Sequence, residues 1–222
     1  MTVQLPYDVV LLDLDGTIID SEPGVQSALR HALVTGFGIS PTTAELEEFM
    51  GPPLSEVLPR VYGLSDPADE QRFFELYCDV YFHGTETEFD AYPGMLELVR
   101  DLHAAGVMVV LATAKPGESA ERILEHAGVA DCFAFVAGSA SDGSRQDKAD
   151  VIAHAFAEIE ADGTTHRIVM VGDRALDVRA ARAHGVDSIT VSWGYAPAGE
   201  LDACGATHHA SAVADLRALL LR

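Results

Sequence analysis

Lysine is almost missing from this sequence. Lys115 and Lys148 are the only two in 222 residues, and lysine plus arginine total 14 against 35 acidic residues, a net charge of −21. A chain of that sign repels nucleic acid phosphates and anionic membrane surfaces, and it has no basic stripe to reverse the field locally. Neither nucleic acid nor membrane is expected as a partner. Cysteine is scarce too: Cys78, Cys132 and Cys204 are odd in number, far apart and without a CxxC pair, which excludes a disulfide framework and a structural zinc site. No apolar run is long enough to span a bilayer, and Val9 to Leu12, with no basic region ahead of it, is too short for a secretory leader. A soluble, cytoplasmic protein is expected. A GxxxxGK[ST] loop and an HExxH pair are both absent, so the nine histidines, His208 and His209 among them, read as surface residues. Gly36-Phe37-Gly38 lacks a preceding strand and has Pro41 where a third glycine belongs, so it reads as a turn and not a dinucleotide site.

What the sequence does contain is an alternation of apolar runs and helical stretches. Val9 to Leu12, Val107 to Ala112, Arg167 to Gly172 and Ser188 to Val191 are apolar, β-branched runs of the kind buried on both faces of a parallel sheet, and Cys132 to Val136 is a weaker one. Helices are predicted over Met95 to Ala105, Ser119 to Ala127, Lys148 to Glu160, Leu176 to His184 and Ala212 to Leu221, several of them closed by glycine. The order indicates an α/β fold with a Rossmann-like, doubly wound parallel sheet, whose ligands bind at the carboxyl ends of the strands. Residues 20–92 break the pattern with helical stretches at Gly24 to Leu33, Thr43 to Phe49, Leu54 to Val61 and Pro67 to Phe82, and no clear buried strand. They are expected to form an inserted α-helical cap, with 1–19 and 93–222 as the core domain.

The chemistry gathers at strand ends. Asp13-Leu14-Asp15-Gly16-Thr17 puts two carboxylates where the first strand leaves the sheet, and Gly16 allows a sharp turn that aims both at one centre. One can attack phosphorus while the other handles the leaving-group proton, provided a metal ion offsets the charge repulsion. Asp173 and Asp177 follow another apolar strand at a spacing of four, so an opening helix presents both to one hard cation such as Mg²⁺. Lys148 sits in a first helical turn, against the macrodipole, so a counter-anion explains it better than helix propensity does. Lys115 is the second cation placed to meet phosphate, a solvated loop lysine being the alternative. Thr113 and Ala114 offer a hydroxyl and a backbone amide to phosphate oxygens.

These four segments, in this order, resemble the four motifs of the haloacid dehalogenase superfamily over essentially the full chain. The resemblance implies Asp13 as nucleophile, Asp15 as general acid and base, Thr113 as phosphate anchor, Lys148 as charge neutraliser, and Asp173 with Asp177 holding Mg²⁺. It adds the Asp13 carboxylate and the Asp15 carbonyl as metal ligands and the Leu14 and Asp15 amides as phosphate donors. A helical insertion after the first motif matches the branch whose cap closes over the substrate and excludes water.

Within that superfamily, Asp15 argues against the dehalogenases, which lack the second aspartate. The absence of lysine before Ala114 argues against phosphonatases, which form a Schiff base on a cap lysine. The reading is a Mg²⁺-dependent phosphomonoester hydrolase acting through an aspartyl-phosphate on a small phosphorylated metabolite, 2-phosphoglycolate or a nucleoside 5′-monophosphate. A sugar-phosphate mutase is the alternative within the family, and a catalytically silent phosphate-binding module is the alternative outside enzymes. Gly51-Pro52-Pro53-Leu54, Gly143 to Lys148 and Trp193-Gly194-Tyr195 resemble segments of the phosphoglycolate phosphatase-like and 5′-nucleotidase-like group. Leu176 departs from it, standing where a histidine is expected. Gly51 to Leu54, with Gly51 and Pro52 as substrate contacts, are expected to enter the active site as a specificity loop, with an interhelical turn as the alternative. Arg145 either grips a second anionic group of the substrate or is a solvated loop arginine. Trp193 either packs or stacks on a nucleobase.

Overall fold

The computed structural model describes residues 5–49, 54–140, 145 and 147–222. In chain order the elements are β1 (Val9–Leu12), β2 (Ile19–Asp20), α1 (Glu22–Phe37), α2 (Thr43–Glu47), α3 (Leu54–Tyr62), α4 (Pro67–His83), β3 (Asp90–Ala91), α5 (Met95–Ala104), β4 (Met108–Pro116), α6 (Gly117–His126), β5 (Phe135–Ser139), α7 (Lys148–Glu158), β6 (Ile168–Gly172), α8 (Ala175–Ala183), β7 (Asp187–Val191), α9 (Glu200–Cys204), β8 (His208–Ala210) and α10 (Val213–Leu220). The chain divides into two compact units, one of Met1–Asp20 with Ala91–Arg222 and one of Ser21–Asp90.

The larger unit is built on a six-stranded sheet in the order β5-β4-β1-β6-β7-β8, parallel throughout. Because β1 lies between β4 and β6, the chain winds outward first to one edge and then to the other, and the carboxyl end of β1 is the switch point at which α/β sheets bind ligands. All four residues of β1 are fully buried, as a strand covered on both faces requires. On one face Val9, Leu11, Val110, Ala112, Ile168 and Met170 pack with Val151, Ile152 and Ala155 of α7 and Ala180 and Ala181 of α8. The twofold period of a strand sends Val10, Leu12, Val109, Leu111, Val169 and Val171 to the other face, where they too are buried.

The smaller unit is helical. Leu29, Leu33, Leu46, Val57, Leu58 and Phe73 form its core. Phe49 stacks on Phe73 and Tyr62 at centroid distances of 5.8 and 6.3 Å. Thr42 and Glu45 close the start of α2 as a reciprocal capping box, and Asp66 accepts the Ala68 amide at 2.9 Å to start α4.

Several strands differ from the sequence reading: β4 runs on to Pro116, β2 and β3 stand where no strand was expected, and β5 and β8 differ most. β5 runs from Phe135 to Ser139 and not from Cys132, because residues 130–132 form a 3₁₀ turn first. It continues through Gly138, where a Cβ would lie 2.4 Å from the Gly117 amide nitrogen, so the glycine that weakens the strand pattern is there for close approach. β8, with two exposed histidines, was not foreseen; it completes the sheet by pairing with β7. No helix among the described residues is long and apolar enough to cross a membrane.

Candidate active site

The site begins where β1 ends. The Asp13 amide donates to the Val171 carbonyl at 2.9 Å, which carries the β1–β6 ladder one residue beyond the strand. The Leu14 carbonyl then accepts the amides of Thr17, Ile18 and Ile19, and Gly16 turns the chain with φ at +77°. A Cβ at position 16 would lie 2.2 Å from Asp173 Oδ2, so glycine is required there by space as well as by angle.

Asp173 and Asp177 arrive from the end of β6 and the first turn of α8, one strand away. Carboxylate oxygens of Asp13, Asp173 and Asp177 lie within 4.8 Å of one another, and all three residues are buried. Lys148, the first residue of α7, inserts its ammonium between two of them, 2.7 Å from Asp13 Oδ1 and 2.9 Å from Asp177 Oδ1. Three carboxylates against one ammonium leave two negative charges when all are ionised, the complement of one divalent ion. The electrostatic stress is visible in the acids themselves. Burial pushes Asp13 up to about 7 against the pull of Lys148, with Asp177 and Asp173 adding to the rise. Burial likewise pushes Asp173 up to about 6, opposed by the Tyr195 amide and reinforced by Asp177. Lys148 is raised: burial opposes its charge, but the Asp13 and Asp177 carboxylates outweigh that cost. A buried, crowded, all-oxygen donor set fits Mg²⁺. Asp15 Oδ1 and Thr17 Oγ1, buried without a hydrogen-bond partner among the described residues, are further oxygens open to a ligand.

The other expected residues fall around this cluster. Lys115 Nζ pairs with Asp15 Oδ2 at 3.3 Å and its side chain is 8% exposed, so it is no solvated loop lysine. Both lysines of the sequence thus pair with carboxylates of the first motif. Thr113 is buried within β4, next to β1 in the sheet, and its hydroxyl accepts the Lys115 amide at 3.2 Å. The Leu14 amide donates to Asp13 Oδ1 at 2.8 Å. Ala114 and Lys148 line a cavity of about 490 Å³ together with Asp147, Ala149, Leu176 and Arg179, so the leucine at the unexpected position borders the site's surroundings. The Arg145 carbonyl accepts the Ala140 amide at 3.3 Å; among the described residues the Arg145 Nε is buried without a partner and no contact joins Arg145 to the acidic cluster. Gly51 and Pro52 lie outside the described residues.

Four residues after β7 build the site: Trp193, Gly194 and Tyr195 stand out in the sequence but not in these roles, and Glu200 does not stand out at all. The Tyr195 amide donates to Asp173 Oδ2 at 2.6 Å, and its phenol donates to Asp20 Oδ1 at 2.6 Å. Trp193 Nε1 donates to the Thr17 carbonyl at 3.1 Å, which makes the indole a clamp on the Asp13–Thr17 loop. Between them, a Cβ on Gly194 would lie 2.2 Å from the Gly16 carbonyl and 2.4 Å from Asp173 Cβ. Glu200 holds the Arg174 guanidinium at 3.0 Å. A glycine between two aromatics beyond a strand's carboxyl end was the signal available for the first three. Gly194→Ala is expected to destabilise the protein by about 1–3 kcal/mol through overpacking against backbone, read as a lower urea midpoint at unchanged slope.

Residues 10–191 match the family described as haloacid dehalogenase-like hydrolase. The chain belongs to that family. Among its relatives, a Mycobacterium tuberculosis protein named tyrosine-protein kinase PtkA is 39% identical over 214 residues, 96% of this chain and 72% of the relative. A Pseudomonas aeruginosa 5′-nucleotidase is 34% identical over 221 residues, covering 97% of this chain and 96% of the relative. A Cereibacter sphaeroides phosphoglycolate phosphatase is 31% identical over 219 residues, covering 96% and 98%. A crystal structure from Clostridium difficile superposes with a TM-score of 0.90 at 31% identity, covering 97% of this chain and 99% of that one. This haloacid dehalogenase-like hydrolase is a phosphatase with the α/β fold of the family.

Proposed function

We propose that the protein is a Mg²⁺-dependent phosphomonoester hydrolase that forms an aspartyl-phosphate on Asp13. The observation carrying this reading is Lys148 bridging Asp13 and Asp177 beside Asp173. Asp13 Oδ1 is engaged by the Leu14 amide and by Lys148, and among the described residues nothing pairs with Oδ2, the oxygen available for attack. In the first step Asp13 Oδ2 bonds to phosphorus, the ester P–O bond breaks, and the departing oxygen takes a proton from Asp15. In the second, water attacks the same phosphorus, Asp15 takes the water's proton, and the Asp13 carboxylate is regenerated as inorganic phosphate leaves. Asp13, Asp173, Asp177 and the Asp15 carbonyl would hold Mg²⁺, which when bound neutralises charge so that a carboxylate can approach a phosphate. Thr113, the Ala114 and Asp15 amides, Lys115 and Lys148 are the phosphate donors. Three unpaired cysteines suit a reducing, cytoplasmic setting.

For substrate we infer a small phosphorylated metabolite, with 2-phosphoglycolate and nucleoside 5′-monophosphates as the leading candidates, supported by the two relatives that carry those activities in their names. The name of the mycobacterial relative supports a second reading, in which a protein tyrosine receives a phosphoryl group. A single experiment separates them. Phosphate release is measured with Mg²⁺ over 2-phosphoglycolate, nucleoside monophosphates and sugar phosphates, in parallel with label transfer from γ-labelled ATP to a tyrosine peptide. Phosphate release from one small ester in great excess over peptide labelling is expected. Peptide labelling with no ester hydrolysed would overturn the hydrolase reading in favour of the second.

A further inference from the structure

Helix α8 carries Asp177 in its first turn and follows directly on Asp173, yet the side chain at its N-cap position offers the first turn no acceptor. Arg174 occupies the N-cap position and its side chain caps nothing. An arginine has no acceptor to offer, so the orphan amides of the first turn must find one elsewhere. The acceptor comes from α9: Glu200 Oε1 takes the Ala175 amide at 2.7 Å. The same carboxylate grips the Arg174 guanidinium with both oxygens, at 3.0 Å from Nε and 3.3 Å from Nη2.

The position of that guanidinium matters because of its neighbours. Arg174 is covalently next to Asp173, and its own amide donates to Asp177 Oδ2 at 3.1 Å. Both carboxylates attract its charge. Arginine stays protonated at any working pH, and its planar fork matches a carboxylate better than a lysine ammonium does. Left without a partner, Arg174 is therefore the most available competitor for the two negative charges that the Asp13, Asp173, Asp177 and Lys148 group leaves uncompensated.

We propose that Glu200 is a positioning residue for the divalent cation, which keeps the Arg174 guanidinium on its own carboxylate and so off Asp173 and Asp177. The proposal rests on the reading of the acidic cluster as a metal site and assigns a cause for Arg174 staying off it, so that among the described residues Lys148 alone pairs with it. Glu200 has two tasks, charge for Arg174 and an oxygen for the Ala175 amide, and they are separable. Glu200→Gln retains an oxygen for the amide and removes the charge.

The test measures Mn²⁺ binding to the metal-free, full-length protein by electron paramagnetic resonance, with no substrate present. The Glu200→Gln variant is expected to bind Mn²⁺ at least about tenfold more weakly than the unmodified protein, the range usual for a lost outer partner of a metal site. Arg174→Ala alone is expected to bind at least as tightly as the unmodified protein. The Arg174→Ala/Glu200→Gln double variant is expected to recover most of the lost affinity, because the competing cation is gone. Unchanged binding in Glu200→Gln overturns the proposal. So does a double variant as weak as Glu200→Gln, or a weakened Arg174→Ala, since either means that Glu200 acts only by supporting the helix. Failure of the unmodified protein to bind Mn²⁺ at all overturns the metal-site reading itself, an outcome distinct from the other three.

Discussion

Replacing Asp13 with asparagine is expected to reduce phosphate release on the order of 10⁴-fold or more, the scale seen when a covalent nucleophile is removed from an otherwise intact site. The change keeps the shape of the side chain and an oxygen that can accept the Leu14 amide, so the loss is chemical and not structural. Stability supplies an independent check. The Asp13 carboxyl is raised to about 7 in the folded protein, from about 3.9 for an unperturbed aspartate, so the folded state binds its proton more tightly than the unfolded chain does. Stability from this group is fully present below about pH 4 and is lost as pH rises through about 7. Asparagine imitates the neutral form. In metal-free buffer at pH 8 the variant should therefore melt no lower than the parent, and the comparison should turn toward the parent as pH falls. Rapid quenching during turnover of a phosphorus-labelled substrate is expected to leave hydroxylamine-sensitive label on the parent and none on the variant. Full activity in Asp13→Asn would remove the proposed nucleophile.

The strands that carry the first, second and fourth motifs were legible because burial on both faces leaves a mark in the sequence. In Val9 to Leu12 and Ile168 to Val171 every position is apolar and every one is buried. The doubly wound order could be inferred from alternation, since parallel strands need crossovers. What escaped notice lies at the edges or depends on long-range contact. β8 is a three-residue edge strand whose histidines face solvent, so it has no apolar pattern to find. β5 hides its second half behind Gly138. Asp13, Lys148, Asp173 and Asp177 could be found because their types and strand-end positions announce a cation and an anion. Trp193 and Glu200 could not be assigned in the same way. Their partners are the Thr17 carbonyl and the Arg174 guanidinium, groups far away in sequence whose proximity only the folded sheet creates. The choice for Trp193 between packing and stacking was open in the sequence, and the indole N–H spent on Thr17 gives it a third role, holding the nucleophile loop.

Removing the Lys148 ammonium from the site should cost both stability and rate, and the two losses should respond differently to metal. Lys148→Met keeps an unbranched apolar stem out to Cε and removes the ammonium that stands between Asp13 and Asp177. Breaking a buried ion pair from one side costs about 3–5 kcal/mol, because the carboxylates left behind have lost both water and partner. At roughly 2–4 °C per kcal/mol for a chain of this size, the metal-free variant should show a clearly lower melting temperature. Saturating Mg²⁺ should return part of that loss, since the uncompensated charge has grown from two to three and a divalent ion bound there offsets it. Turnover should not return. A charged donor aimed at the reacting phosphoryl group is worth about 10²–10³-fold, and no other cation is within reach of Asp13 Oδ1 among the described residues. The pH profile gives the sign. Lys148 lowers the Asp13 carboxyl, so without it Asp13 rises further above about 7 and ionises only at higher pH. The acid limb of kcat/KM should accordingly move to higher pH in Lys148→Met. An acid limb that stays in place while the rate falls would mean that Lys148 serves the phosphate alone and does not tune the nucleophile.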